Sequence, residues 1–316
     1  MSMIYGPVLS RRFGYSLGID IIPFKICTYD CIYCQLGKTT NKTTKRKRYV
    51  DIDMNSFLKD LKNVIESEKT INYITFSGSG EPTLNTDIGT LIDKVKQLTD
   101  IPIAVLTNGS LLYRKEVVKS LENADLIKVS FDAPNEICFK KINKPSSVIT
   151  FKKVLKGLDL LLNDFKGKIW LELMIIKDIN DSIKYTEQFK KIIDGMDKIG
   201  RGVDKIHLNT PVRPSGPGDV LIPDSLQLKK IENILGKKAE IIRDAKLKSQ
   251  ELVNIDLERE IIELVKRRPV SAREISKSLQ SNINEVIKSL RNLLDQKKIK
   301  SKIYGDKKSN YYYYKC

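Results

Sequence analysis

Histidine is almost missing from this chain: His207 is the single one in 316 residues. Cysteine is scarce as well, five in all, with no regular framework of the kind that staples small secreted folds. A reducing compartment and a cytoplasmic location are therefore expected. No apolar run reaches membrane-spanning length. The first residues, Met1-Ser2-Met3-Ile4-Tyr5-Gly6, carry neither the charged nor the apolar region of a secretory signal. Acidic residues are outnumbered, 39 against 56 Lys and Arg, for a formal net charge of +17. That imbalance argues for a polyanionic partner such as nucleic acid, the ordinary alternative being a Lys-rich composition throughout. Basic residues concentrate in Lys42-Thr43-Thr44-Lys45-Arg46-Lys47-Arg48 and through the last third. With 41% hydrophobic residues the chain is long enough for one large core and a smaller second one.

Three of the five cysteines stand together in Lys25-Ile26-Cys27-Thr28-Tyr29-Asp30-Cys31-Ile32-Tyr33-Cys34. Thiols at this spacing can converge on one small metal object, and soft thiolates select zinc, copper(I) or an iron–sulfur cluster. Structural zinc wants four ligands, yet Cys138, Cys316 and His207 are all remote in sequence. A four-iron cluster held by three cysteines keeps one iron without a protein ligand, where a cofactor can bind. The ordinary alternatives are structural zinc, or a disulfide pair with a spare thiol.

Along the chain, short apolar runs at 16–22, 71–76, 101–106, 126–131, 168–176 and 205–208 alternate with helical patterns at 53–68, 87–98, 114–122, 148–163 and 182–197. Strands alternating with helices of this length predict parallel βαβ units, hence an α/β fold and a partial, open (β/α)6 TIM-like barrel. Chemistry in such a barrel collects at the C-terminal strand ends, where this sequence places its notable residues.

The cysteine spacing resembles the signature of the radical S-adenosylmethionine (radical SAM) superfamily. The resemblance implies a 4Fe–4S cluster on Cys27, Cys31 and Cys34, whose open iron chelates the amino and carboxylate groups of S-adenosylmethionine. One electron, from a flavodoxin- or ferredoxin-type donor, would cleave the sulfonium and give a 5′-deoxyadenosyl radical for hydrogen abstraction. Ser77-Gly78-Ser79-Gly80-Glu81-Pro82 resembles the family's GGEP segment with Ser79 in place of its first glycine, which puts Gly78, Ser79, Gly80, Glu81 and Pro82 by the methionine amino group. Thr107-Asn108-Gly109 resembles the TNG strand end. Ser130 and Asp132 match positions near the ribose or methionyl part, with helix capping or a turn before Pro134 as the ordinary alternative. Tyr33 matches the position that packs on adenine, and residues 207–214, with Asn209 and Val212, match the other adenine contacts.

The stretch 6–20, then Pro23-Phe24-Lys25, residues 29–37 and Lys141-Ile142-Asn143-Lys144-Pro145, is similar to a prokaryotic radical SAM group loosely associated with the wyosine-type tRNA synthases. Those synthases use a second set of three cysteines ahead of the first. None precedes Cys27 here, so their pyruvate-condensing chemistry is not expected. Arg11 and Arg12 suit a carboxylate or phosphate clamp, or plain solvent-facing charge. Glu172, in an otherwise apolar strand, calls for a cation or the barrel mouth.

From about residue 251 the pattern changes. Helical periodicity at 257–267, a capping box at Ser271-Ala272-Arg273-Glu274 opening a helix through 279, a third helix at 283–296 and a hairpin at 299–314 resemble a winged helix–turn–helix domain. The expected division is 1–250 and 251–316. Lys288, Ser289, Arg291 and Asn292 on the third helix, with Lys307 and Lys308 in the wing, would meet nucleic acid. Three functions follow: a radical SAM enzyme acting on RNA, such a tRNA; one acting on a protein or small molecule, with the winged helix as partner module; or an iron–sulfur redox sensor on a DNA-binding regulator.

Overall fold

The computed structural model describes residues 3–68, 70–211, 220–242, 257–279, 281–304 and 309–314. It begins with an antiparallel hairpin, β1 (Ile4–Ser10) and β2 (Gly14–Ile19). Two short strands, β3 (Ile26–Cys27) and β4 (Asn41–Lys42), pair across the cysteine loop. Helices and strands then alternate: α1 (Met54–Ser67), β5 (Tyr73–Phe76), α2 (Ile88–Leu98), β6 (Ile103–Thr107), α3 (Lys115–Lys119), β7 (Leu126–Ser130), α4 (Glu136–Asn143), α5 (Phe151–Asp164), β8 (Lys168–Met174), α6 (Ile183–Ile199), β9 (Lys205–Asn209), α7 (Ser225–Leu235) and β10 (Ala239–Ile241). One eight-stranded sheet results, in the order β1-β2-β5-β6-β7-β8-β9-β10, parallel throughout except where β1 meets β2. This is the α/β arrangement of a partial barrel.

Local chemistry sets the helix starts. Asp53 accepts from the N–H groups of Asn55 and Ser56, and Thr150, Ser182 and Asp224 cap α5, α6 and α7 in the same manner. Each such cap stabilises by about 1 kcal/mol.

The two-residue period of the strands then sorts the side chains. Ile74, Phe76, Ile103, Val105, Ile127, Val129, Leu171 and Leu173 join Leu91, Ile92, Leu158 and Leu161 of the helices in one buried core. The intervening positions Ser16, Thr75, Lys128, Glu172, His207 and Asn209 fall on the opposite, concave face and are buried too. Phe13 stacks on Trp170 at 5.6 Å and His207 meets the same indole edge-on at 4.9 Å, giving this face an aromatic floor.

Some elements were not expected. β1 escapes detection because its half-buried residues show no clean alternation. α4 lies in a segment too short to establish a helical period. β10, of three residues, closes the sheet, and residues 243–256 fall outside the described residues.

The C-terminal segment forms α8 (Leu257–Arg267), β11 (Val270–Ser271), α9 (Ala272–Ser278), α10 (Ile283–Asp295), β12 (Ile299–Tyr304) and β13 (Ser309–Tyr314). It has its own buried cluster, which includes Ile261, Ile275, Val286, Leu290 and Leu293. The capping box forms: Ser271 Oγ accepts from the Glu274 N–H at 3.3 Å, and Glu274 Oε2 accepts from the Ser271 N–H at 2.9 Å. β11 adds a third strand to the expected hairpin, in the order β11-β13-β12. This unit packs on β1 through α8 and α9. Arg267 lies 4.0 Å above the Tyr5 ring and pairs with Asp20 at 3.3 Å. Tyr304 donates to the carbonyls of Pro211 and Val220. No helix among the described residues is long and apolar enough to cross a membrane.

Candidate active site

The cysteine loop leaves β2, crosses the C-terminal end of the barrel and returns to α1. Each of its three sulfurs meets a side-chain nitrogen donor. Lys25 Nζ donates to Cys34 Sγ at 3.1 Å, Asn108 Nδ2 to Cys27 Sγ at 3.5 Å and Asn143 Nδ2 to Cys31 Sγ at 3.5 Å. Burial, with Glu81 nearby, pushes the Cys27 thiol up to about 12, and burial with Asp132 nearby raises Cys31 well above the usual thiol range. In the absence of a cation these two are therefore thiols, and metal binding must release their protons. Among the described residues no group of three His, Cys, Asp or Glu is gathered so as to hold a single metal ion.

The glycine turn after β5 lies directly against this loop. The Glu81 N–H donates to the Ile26 carbonyl and the Lys25 N–H to the Ser79 carbonyl. A Cβ on Gly80 would stand 2.0 Å from the Ile26 carbonyl oxygen, so only glycine permits the contact. Asp20 fixes the turn from the other side, accepting from Ser79 N–H at 3.0 Å and from Ser79 Oγ at 2.6 Å.

Glu81 ties the turn to the next strand end. Its carboxylate accepts from Thr83 N–H, Thr83 Oγ1, Thr107 Oγ1 and the Asn108 N–H, all within 3.1 Å. Pro82 opens the short turn that follows and is buried. Asp132 plays the equivalent part beyond β7, accepting from Tyr33 OH at 2.5 Å, Asn143 Nδ2 at 2.8 Å and the Met174 N–H at 3.0 Å. The cap of α4 is Asn135, not Ser130 or Asp132.

A cavity of about 260 Å³ opens beside the loop. Cys27, Cys34, Tyr33, Gly78, Ser79, Gly80 and Asn209 line it, together with Arg11, Arg12, Lys25, Glu172 and Met174. Cys31, Glu81, Pro82, Thr107, Asn108, Ser130 and Asp132 are outside this lining. All of these except Ser130 and Pro82 hold loop or cysteine contacts described above. Ser130 lies opposite Glu172 in the sheet register. Val212, Lys307 and Lys308 fall outside the described residues.

Below the cavity lies a buried charge cluster. Glu172 pairs with Arg12 at 3.0 Å and Lys128 at 2.7 Å. Burial alone would raise the Glu172 carboxyl, but Arg12, Lys128 and Arg11 override it and hold it at about 2. Burial, then Arg12, pushes the Lys128 ammonium down to about 8. Arg11 donates to Asn209 Oδ1 at 2.9 Å. Both arginines therefore belong to the site rather than to an open surface.

Sequence reading missed Asp20, Lys25 and Asn143 as site residues, although each stands in a stretch that carried the family resemblance. It missed Lys128 because a lysine on β7 gives no local sign of facing inward, and Arg267 because its partners are remote in sequence.

Residues 21–189 match the Radical SAM superfamily. The chain is 34% identical to UPF0026 protein MJ1312 of Methanocaldococcus jannaschii across 90% of this chain and 88% of that protein. It is 36% identical to a protein named GTPase Obg of Brachyspira hyodysenteriae across 95% of this chain, but spans only 44% of that relative's length. Among solved structures, TYW1 with a lysine-pyruvate adduct bound is similar in fold, with a TM-score of 0.50 and 19% identity across 70% of this chain and 72% of that one. Radical SAM proteins use S-adenosylmethionine with an iron–sulfur cluster and require a reductant. The chain belongs to the radical SAM superfamily of enzymes and, within it, to the UPF0026 family.

Proposed function

We propose that Cys27, Cys31 and Cys34 bind three irons of a 4Fe–4S cluster, and that S-adenosylmethionine occupies the adjoining cavity. The observation that carries this reading is one short loop that brings three thiols together, each with a nitrogen donor, and puts Cys27 and Cys34 in the lining of a cavity. Hydrogen bonds from Asn108, Asn143 and Lys25 would offset thiolate charge. When bound, the cluster supplies the electron that cleaves S-adenosylmethionine to a 5′-deoxyadenosyl radical. Gly78 and Gly80 keep backbone close to the ligand, Tyr33 offers a ring held by Asp132 for the adenine, and Asn209 offers an amide from β9. Thr107, Glu81 and Asn108 hold the loops in register. A flavodoxin- or ferredoxin-type protein would deliver the electron.

We assign RNA as the substrate class and residues 251–316 as a winged-helix domain that helps to hold it. The support is the net charge of +17 and the exposure of Lys288, Arg291 and Asn292 along α10. Anaerobic reconstitution with iron and sulfide, followed by dithionite and S-adenosylmethionine, tests the enzyme reading. 5′-Deoxyadenosine is expected from the native chain and is lost when Cys27, Cys31 and Cys34 are all replaced by alanine. An intact cluster whose spectrum ignores S-adenosylmethionine, with no product, would overturn it in favour of a redox sensor. Copurification of RNA whose affinity falls steeply with salt supports the substrate class; affinity for a protein alone would replace it with action on a protein, the C-terminal unit being the partner module.

A further inference from the structure

A second cavity, of about 290 Å³, lies beside the first and beneath α8. Four guanidinium groups line it: Arg11 and Arg12 from the β1–β2 turn, and Arg267 and Arg268 from the end of α8. Hydroxyls of Ser10, Ser16, Thr75 and Ser77 also line it, and among the described residues no Asp or Glu does. Arg11, Arg12, Gln35, Gly78 and Gly80 line both cavities, so a ligand in one would abut a ligand in the other.

The carboxylates of Glu172 and Asp20, which pair with two of these arginines, stand outside the lining and are already engaged. Glu172 is shared between Arg12 and Lys128, and Asp20 is held by Ser79 and Arg267. Arg12 Nε is buried with no hydrogen-bond partner among the described residues. A buried cationic donor such as Arg12 Nε, with no acceptor among the described residues, is costly unless a ligand supplies one. Guanidinium groups with hydroxyls among them suit a tetrahedral oxyanion, since each planar fork can grip two oxygens.

We propose that this cavity is the substrate's anion subsite, that it takes a phosphate group, and that the C-terminal unit completes it by contributing Arg268. The subsite rests on the enzyme reading above, because it places a substrate phosphate next to the cofactor cavity. It gives the C-terminal unit a direct place in substrate binding. The cofactor's own carboxylate belongs to the cavity at the cysteines, so the two anions do not compete.

The test is calorimetric titration of inorganic pyrophosphate into the full reconstituted chain, with and without saturating S-adenosylmethionine. Binding is expected in both conditions, weakened at least tenfold in R11Q and in R268Q. R268K should retain most of it, and K300Q, at an exposed lysine of β12, should leave it unchanged. Circular dichroism and melting of each variant establish that it is folded. Loss of pyrophosphate binding when S-adenosylmethionine is added would assign these arginines to the cofactor and overturn the proposal, as would equal affinity in R11Q, R268Q and K300Q. Uridine 5′-monophosphate and a 5′-phosphorylated tetraribonucleotide then separate the sources. Tighter binding of the tetramer assigns the phosphate to an RNA strand, equal binding assigns it to a free nucleotide, and either outcome keeps the subsite. Because binding is read without turnover, failure here is distinct from failure to form 5′-deoxyadenosine.

Discussion

At the scale of single residues, Glu172 supplies the negative charge between two buried cations of the barrel interior. It balances Arg12 and Lys128, whose side chains are 16% and 5% exposed. Replacing it with glutamine leaves both cations buried without their counter-charge. A loss of roughly 3–5 kcal/mol is expected, the range for breaking a buried pair from one side, and denaturant unfolding of E172Q would measure it. An unchanged midpoint would mean that the cluster is screened by solvent. The lone histidine offers a second residue-scale test. Burial above all pushes His207 down to about 4 from an ordinary value of 6.5. Between those two values the unfolded chain binds the proton and the folded chain does not. The stability that His207 contributes is therefore present above pH 6.5 and is lost as pH falls towards 4. Because no other histidine exists, its imidazole NMR signal needs no assignment, and it should stay in the neutral position from pH 8 down to pH 5. Movement with a midpoint near 6.5 would contradict the buried, neutral reading.

At the scale of elements, the loops at the strand ends depend on one another. Gly80 meets the Ile26 carbonyl, Glu81 reaches Thr107 and Asn108, and Asn108 in turn reaches Cys27. Gly80→Ala should therefore displace the cysteine loop, because the obstructing atom is backbone and cannot rotate away. The expected outcome is a folded protein that takes up less than half the native iron and sulfide on reconstitution, read by metal analysis and the visible absorbance of the cluster. Full loading of G80A would show that the two loops tolerate separation. This interlock also explains what was legible beforehand. Cys27, Cys31, Cys34, Gly78–Gly80 and Thr107–Asn108 lie in short local patterns, and the period of two or 3.6 residues announces the strands and helices between them. Asp20, Lys25 and Asn143 are ordinary polar residues until the fold brings them to Ser79, Cys34 and Cys31. β1 gives little sign because an edge strand with half-buried residues alternates weakly.

At the scale of the whole molecule, the question is what holds the C-terminal unit against the barrel. The sequence marks this unit well, since its capping box and helical spacing are local, but it is silent on where the unit docks. Arg267 and Asp20 are 247 positions apart, and no periodicity links residues at that distance. The contact nevertheless joins α8 to the glycine turn through a short chain: Arg267 pairs with Asp20, and Asp20 holds Ser79. Its guanidinium also covers Tyr5 of β1 at 4.0 Å, where a partly desolvated cation–π contact contributes about 1–2 kcal/mol. Arg267→Leu keeps much of the apolar cover but removes the charge, leaving Asp20, already raised by burial, without its cation. Hydrogen exchange followed by mass spectrometry should then show faster exchange in α8, α9 and β1, while β6, β7 and β8 keep their native protection. The same exchange in R267L and the native chain would mean that apolar packing of α8 and α9 on β1 suffices for docking. Faster exchange spreading through β6 to β8 would mean instead that the unit is part of one cooperative fold with the barrel.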